Sequence, residues 1–298
     1  YITMRRAFGY KLRCEAYLLA RFVAYMEQQD ATIITTRLAL DWATSEARPP
    51  TWPERLSAVR TFARHLSSTE PRTQIPPTDM LAARQRRTPH IYTDQEIGSL
   101  LDAMLAVRSA KGLHRWTYYC IFGLLAVTGL RIGEALRLKR DDADLEAGLL
   151  TIRDTKFGKS RLVPIHSTTV AILTDYMKRR DALFPTPISP TFFVGEQGRA
   201  LNHSAVHLIF RTVARQMGLR RPGDAYRGPR IHDLRHSYAV ATLLRWYRAG
   251  DDVEQRLPVL STYLGHSHTS SSYWYLSACP ELMEHAARRL DARWEQAS

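Results

Sequence analysis

Between residues 68 and 92 the sequence can sustain neither a helix nor a central strand. Pro71, Pro76, Pro77 and Pro89 stand among Thr, Gln and Arg there, and apolar periodicity survives only briefly around Met80 and Leu81. Each proline removes a backbone donor and disfavours helix at the residue before it. The stretch turns basic at Arg84, Arg86 and Arg87, and then Thr93-Asp94-Gln95-Glu96 has the spacing of a capping box. The 298 residues therefore divide into a helical domain over 1–82, a basic linker over 83–92 and a larger domain over 93–298.

In the first domain, Glu15 to Gln28 sets Leu18, Leu19, Phe22, Val23 and Met26 on one helical face. Thr35 or Thr36 can cap a helix holding Leu38, Leu40 and Trp42. Thr51 can cap another, with Pro53 in its first turn. That helix turns Leu56, Val59, Phe62, Ala63 and Leu66 inward, with Arg55, Arg60 and Arg64 elsewhere on its surface. Such arginines suit a DNA clamp and an ordinary solvated bundle equally well. In the larger domain, His114 to Val127 reads as a buried helix, Ser167 to Leu183 as a second and His232 to Arg248 as a long third stopped by Gly250. Ser204 can cap a helix reaching Met217, and Gln255–Tyr263, Thr269–Leu276 and Glu281–Trp294 read as shorter helices. Leu149–Arg153 and Arg161–Ile165 read as strands of a hairpin around Gly158, with Phe192–Val194 as a further strand. The expected fold class is mainly α with a small antiparallel β-sheet.

Charge narrows the partners. The 42 basic and 29 acidic residues leave +13, and 36 of the basic residues are arginine against six lysines. The excess is spread over both domains, which favours a polyanion, nucleic acid first, although an Arg-rich genome would leave the same mark. Three distant cysteines, Cys14, Cys120 and Cys279, exclude a disulfide framework and a Cys-rich zinc fold. The longest uncharged apolar run, Trp116–Leu130, is too short to span a bilayer. So few cysteines suit a reducing cytoplasm, which is the expected setting, without a membrane partner.

Three separated segments hold the chemistry. They are Thr128-Gly129-Leu130-Arg131-Ile132-Gly133-Glu134, His232-Asp233-Leu234-Arg235-His236-Ser237, and Leu264-Gly265-His266 followed nine residues later by Tyr275. The hairpin adds Lys156 and Lys159, two of the six lysines. The set contains no paired acids and no Walker loop. It suits a phosphate held by cations and attacked by an oxygen nucleophile. Taken singly, Arg131 could be a surface arginine pairing Glu134. His232 and His236, four residues apart, invite a metal pair, but position 233 is Asp, so H-E-x-x-H is not formed and no third ligand motif is evident. No metal and no cofactor is expected. Tyr273 and Tyr275 are two apart on one short expected helix, so only one can face a site.

Together these segments resemble the tyrosine recombinases of the phage integrase family. That family shows arginine in T-G-x-R-x-x-E, a hairpin lysine, H-x-x-R, L-G-H and a tyrosine about nine residues on, and all five occur here in order across residues 128–275. The resemblance implies a helical, SAM-like core-binding domain followed by an α+β catalytic domain. It implies Tyr275 as nucleophile, with Tyr273 left to packing or DNA contact. It further implies Arg131 and Arg235 as forks on the scissile phosphate, and His232 and His266 as further phosphate or proton partners. It also implies Lys156 as the general acid on the leaving 5′ oxygen, with Lys159 in reserve. Glu134 would orient local groups, His236 would pack in the core and His268 would lie in an exposed loop. The implied activity is site-specific strand exchange through a 3′-phosphotyrosyl link and a Holliday junction, serving integration, excision or transposition of mobile DNA. The implied partners are double-stranded recombination sites, a homo-tetramer on DNA, and accessory DNA-bending or partner recombinase proteins. A type IB topoisomerase shares the tyrosine chemistry, and a non-catalytic DNA-binding protein could share the fold. The C-terminal helix, with Met283, Ala286, Ala287 and Leu290, could dock on a neighbouring protomer or pack in cis.

Overall fold

Helices α1 (Ile2–Ala7), α2 (Arg13–Gln28), α3 (Thr36–Thr44) and α4 (Trp52–Leu66) open a computed structural model that describes residues 1–47, 49–82, 87–153, 160–221, 228–265, 281–284 and 287–288. The chain forms two compact units, Tyr1–Arg87 and Thr88–Ser298.

The first unit closes around Phe22, Ile34, Ala39, Trp42, Leu56, Val59 and Ala63. Phe22 meets Trp42 edge-on at 5.1 Å. Thr35 caps α3, its hydroxyl accepting from the Leu38 N–H. Thr51 precedes α4 but makes no side-chain cap bond, because its backbone is already helical. Val23, expected inside, is exposed, since the buried stripe of α2 is only as wide as Leu19 and Phe22. Arg55 departs furthest from expectation. It is not on the surface but 2% exposed. Its guanidinium stacks over Trp42 at 4.1 Å, bonds the Trp42 carbonyl and pairs with Glu46. Three partners together offset the desolvation that burying one charge would cost. Arg60 donates to the carbonyls of Pro76 and Pro77, and Met80 and Leu81 pack on the core. The proline-rich run is thus bound into this unit as far as Leu81.

The second unit is built on α5 (Asp94–Leu105), α6 (Leu113–Thr128), α7 (Ile132–Arg137), α8 (Ser167–Leu183), α9 (His203–Gln216), α10 (Ile231–Arg248) and α11 (Val253–Leu264). Thr93 and Glu96 form the full capping box of α5. Helix α6 is the hub, packing on α5, α8 and α10. Most of its faces are buried, Val127 near its end excepted. Strands β1 (Ala143–Asp144), β2 (Leu149–Ile152) and β3 (Arg161–Pro164) make one antiparallel sheet in the order β1-β2-β3. Leu150 faces Val163 and Ile152 faces Arg161 across β2 and β3.

Residues 192–194 are buried but form no strand, only an isolated bridge from Val194 to Ala200. The Phe192 N–H donates to Leu138 O, and side chains take other backbone groups of the segment. The Tyr176 hydroxyl accepts from the Val194 N–H, Thr117 donates to the Val194 carbonyl and Arg180 donates to that of Phe192. Asn202, not Ser204, caps α9, its amide oxygen accepting from the Ser204 N–H. Helix α11 starts earlier than expected because Asp252 accepts from the N–H groups of Glu254 and Gln255. Residues 281–284 are helical, with Leu282 buried and Met283 exposed. The expected helix Thr269–Leu276, and Ala286 and Leu290 of the last one, lie outside the described residues. Among the described residues no helix is long and apolar enough to cross a membrane.

Candidate active site

The end of α11 gathers the charged groups. Leu264 is its last residue, and Gly265 turns the chain with φ +69°. An L side chain rarely adopts that backbone, and a Cβ there would lie 2.9 Å from Nη1 of Arg161. The last carbonyls of a helix lack intrahelical partners and carry the negative end of its dipole. Three guanidiniums take three consecutive carbonyls here. Arg161 Nε donates to Tyr263 O at 2.7 Å, Arg235 Nη2 to Leu264 O at 2.6 Å and Arg131 Nη2 to Gly265 O at 3.0 Å.

Each arginine arrives from a different element. Arg131 precedes α7, one residue after the turn that ends α6 at Gly129 and Leu130. Arg235 lies in the second turn of α10, 1% exposed, and also donates to Gly129 O at 2.8 Å. Gly129 is required as glycine, with φ +62° and a virtual Cβ only 2.7 Å from Cδ1 of Tyr238. Arg161 opens β3. Glu134 sits between two of them. Its Oε1 accepts from Nη1 of Arg131 and Nη1 of Arg161, and its Oε2 accepts from the Arg131 N–H and Nη2 of Arg161, all at 2.9–3.1 Å. Burial alone would raise the Glu134 carboxyl, but hydrogen bonds and charge from Arg161, then Arg131, hold it at about 2. Arg131 therefore does pair Glu134, and it also reaches the end of α11.

His232 stands in the first turn of α10, exposed, beside Arg131 and Arg235. Desolvation by the surrounding protein, then the charges of Arg235 and Arg131, push its pKa down to about 4. Its ring remains accessible, so solvent tempers the first cause, while the two guanidiniums act at short range in the same direction. The imidazole is neutral at pH 7. His236 is buried and meets the His232 ring edge-on at 4.8 Å. Asp233, also buried, accepts from the Arg230 N–H and guanidinium and fixes the start of α10. Among the described residues no group of three or more His, Cys, Asp or Glu side chains could hold a metal ion.

Of the residues singled out by sequence, Arg131, His232 and Arg235 come together in this structure. Lys156, Lys159, His266, His268, Tyr273 and Tyr275 lie outside the described residues, His266 following Gly265 directly in sequence. Sequence reasoning placed Arg161 only in a strand. Its one local sign is that it is the arginine ending the lysine-bearing hairpin.

Comparison with known proteins comes from three directions. Residues 91–281 match the model of the Phage integrase family. A putative integrase/recombinase, y4rB of Sinorhizobium fredii, is 49% identical over 302 aligned residues, covering 99% of this chain and 96% of that one. Among solved structures, XerH site-specific recombinase bound to palindromic difH substrate superposes with TM-score 0.67 at 21% identity, over 92% of this chain and 78% of that chain. The Tn1549 transposon integrase in complex with transposon right end DNA gives TM-score 0.68 at 15% identity, over 98% of this chain and 97% of that chain. The last two likenesses show a shared fold.

Proposed function

The chain belongs to the phage integrase family, and we propose that it recombines DNA with Tyr275 as nucleophile and the α11 end as the seat of the scissile phosphate. It is a tyrosine recombinase, an enzyme of site-specific DNA recombination. One observation supports the residue assignment: Arg131 and Arg235 meet on the last carbonyls of α11, directly before His266 in sequence, with His232 beside both guanidiniums.

Arg131 spends one N–H on Glu134 and one on Gly265, and its side chain is 33% exposed. A guanidinium carries five N–H donors, so its fork can also donate to a phosphate oxygen. Arg235 adds positive charge from the buried side, where low dielectric strengthens it. In the reaction Tyr275 Oη bonds to phosphorus, the bond from phosphorus to the 5′ oxygen breaks, and Lys156 delivers a proton to that oxygen. His232 meets the phosphate as a neutral imidazole. The incoming phosphate offsets the two guanidinium charges that depress His232, so its basicity rises when the tyrosine proton must leave. His266 supplies a further hydrogen bond. The phosphotyrosyl link conserves the bond energy, so rejoining draws on no ATP. Strand exchange then passes through a Holliday junction on a tetramer of this chain. The cationic surplus of both units supports double-stranded DNA as the partner.

The test is a suicide duplex carrying the site recovered from genomic fragments by Tyr275→Phe protein. Wild type leaves a protein–DNA adduct that resists SDS, while Tyr275→Phe binds equally and leaves none. An adduct that persists in Tyr275→Phe moves the nucleophile to Tyr273, and no adduct from wild type overturns the reading.

A further inference from the structure

We infer that Arg161 is a positioning residue for strand cleavage, aiming the Arg131 fork and fixing the α11 end through Glu134 and Tyr263. The inference rests on the recombinase reading above. Arg161 is 10% exposed on its side chain, and its fork is spent inside the protein. Nη1 and Nη2 grip Glu134 at 3.1 and 2.9 Å, and Nε holds Tyr263 O at 2.7 Å. The four hydrogen bonds to Glu134 divide evenly, two from Arg131 and two from Arg161. The direction of the Arg131 guanidinium thus depends on Glu134, and that of Glu134 on Arg161. The same guanidinium holds the Tyr263 carbonyl in the last turn of α11, two residues before Gly265, whose own carbonyl Arg131 holds. Pairing of Ile152 with Arg161 anchors the arrangement to the sheet. Without Arg161, a carboxylate 2% exposed is left with one cation, and both arms of the Arg131 site lose their support.

Geometry rather than charge is the requirement, because a lysine keeps the charge but offers a point contact in place of a planar fork. Arg161→Lys should form the suicide-substrate adduct about 10²-fold more slowly than wild type, the scale of a small misplacement of catalytic groups. Its DNA affinity should stay within about threefold, since affinity is carried by many phosphate contacts. The discriminating measurement replaces the scissile phosphate with a neutral methylphosphonate, which asks less of the Arg131 charge. If Arg161 acts through Arg131, the gap between wild type and Arg161→Lys shrinks to within about threefold on that substrate. Equal slowing on both substrates, or none on phosphate DNA, overturns the assignment. Glu134→Gln approaches the same link from its other end. It should show the same substrate dependence, and the double variant should be no slower than the worse single one. Additive losses count against the link.

Wild type is the internal control. If wild type forms no adduct, the recombinase reading fails, and hydrogen exchange in the DNA-free full chain then decides the positioning role. Arg161→Lys should speed exchange of the Arg131 amide, which Glu134 holds, by about tenfold without a matching change across α6. Unchanged exchange at Arg131 overturns it.

Discussion

In residues 1–87, Arg21 and Arg55 share the carboxylate of Glu46; in residues 88–298, Arg131 and Arg161 share that of Glu134. Both clusters place a guanidinium on carbonyls at the end of a helix, Trp42 near the end of α3 and Tyr263 to Gly265 at the end of α11. Cations are favoured there by the helix dipole. The two differ in how they end. The Arg55 cluster closes on itself, with Trp42 stacked on the guanidinium and a carboxylate that is 31% exposed. The Glu134 cluster buries its carboxylate to 2% and adds Arg235 and an accessible, neutral His232 beside it. A set of arginines becomes a candidate site when positive charge is left facing an accessible place, and a structural staple when it is not.

The largest expected break in this comparison is at Arg235. Arg235→Lys should lower the rate of suicide-substrate cleavage by about 10²–10³-fold, the cost of removing one preorganised donor from a developing oxyanion, while DNA retention on a filter changes little. A loss of binding in parallel would make Arg235 a staple like Arg55. Next comes Glu134. Its carboxyl is held at about 2, below its ordinary 4.5, so the unfolded chain takes up this proton at higher pH than the folded one. The stability it contributes is complete above about pH 4.5 and fades as pH falls toward 2, amounting to about 3 kcal/mol. Urea unfolding across that window should show Glu134→Gln losing stability at neutral pH and showing a weaker acid dependence than wild type. Glu46, which Arg21 and then Arg55 also hold below the ordinary range, should give a smaller difference when changed to Gln, since it is solvated. At Arg55 the expected effect on cleavage is the smallest, and the change is confined to stability. Arg55→Met should destabilise the first unit by about 2 kcal/mol, because methionine fills part of the volume while Glu46 can turn to water. Adduct formation per folded molecule should stay at the wild-type level.

Sequence reading succeeded where the signal was local. The capping box at Thr93 and Glu96, the span of α8 and the facing strands around the lysine hairpin each follow from neighbouring residues. It failed where a distant partner decides. Nothing near Arg55 in sequence says that Trp42 will lie under it and Glu46 beside it. Residues 192–194 look like a strand, yet hydroxyls of Thr117 and Tyr176 take their backbone groups. For the candidate site, spaced motifs singled out Arg131, His232 and Arg235, which the fold brings together. Their partners at Gly129, Leu264 and Gly265 are backbone carbonyls, which any residue would carry. Arg161 was invisible for a related reason, since its partner is a carboxylate 27 residues away.

The clasp at the end of α11 also sets a timetable. Arg131 and Gly265 are 134 positions apart, and Arg161 and Tyr263 are 102 apart. During synthesis the earlier partners leave the ribosome long before the carbonyls they will hold, and contacts of such long range form late. A nascent chain can have its DNA-attracting arginines folded while the cluster that would seat a phosphate is still without its floor. The clasp therefore closes only after the elements that supply its arginines have been made.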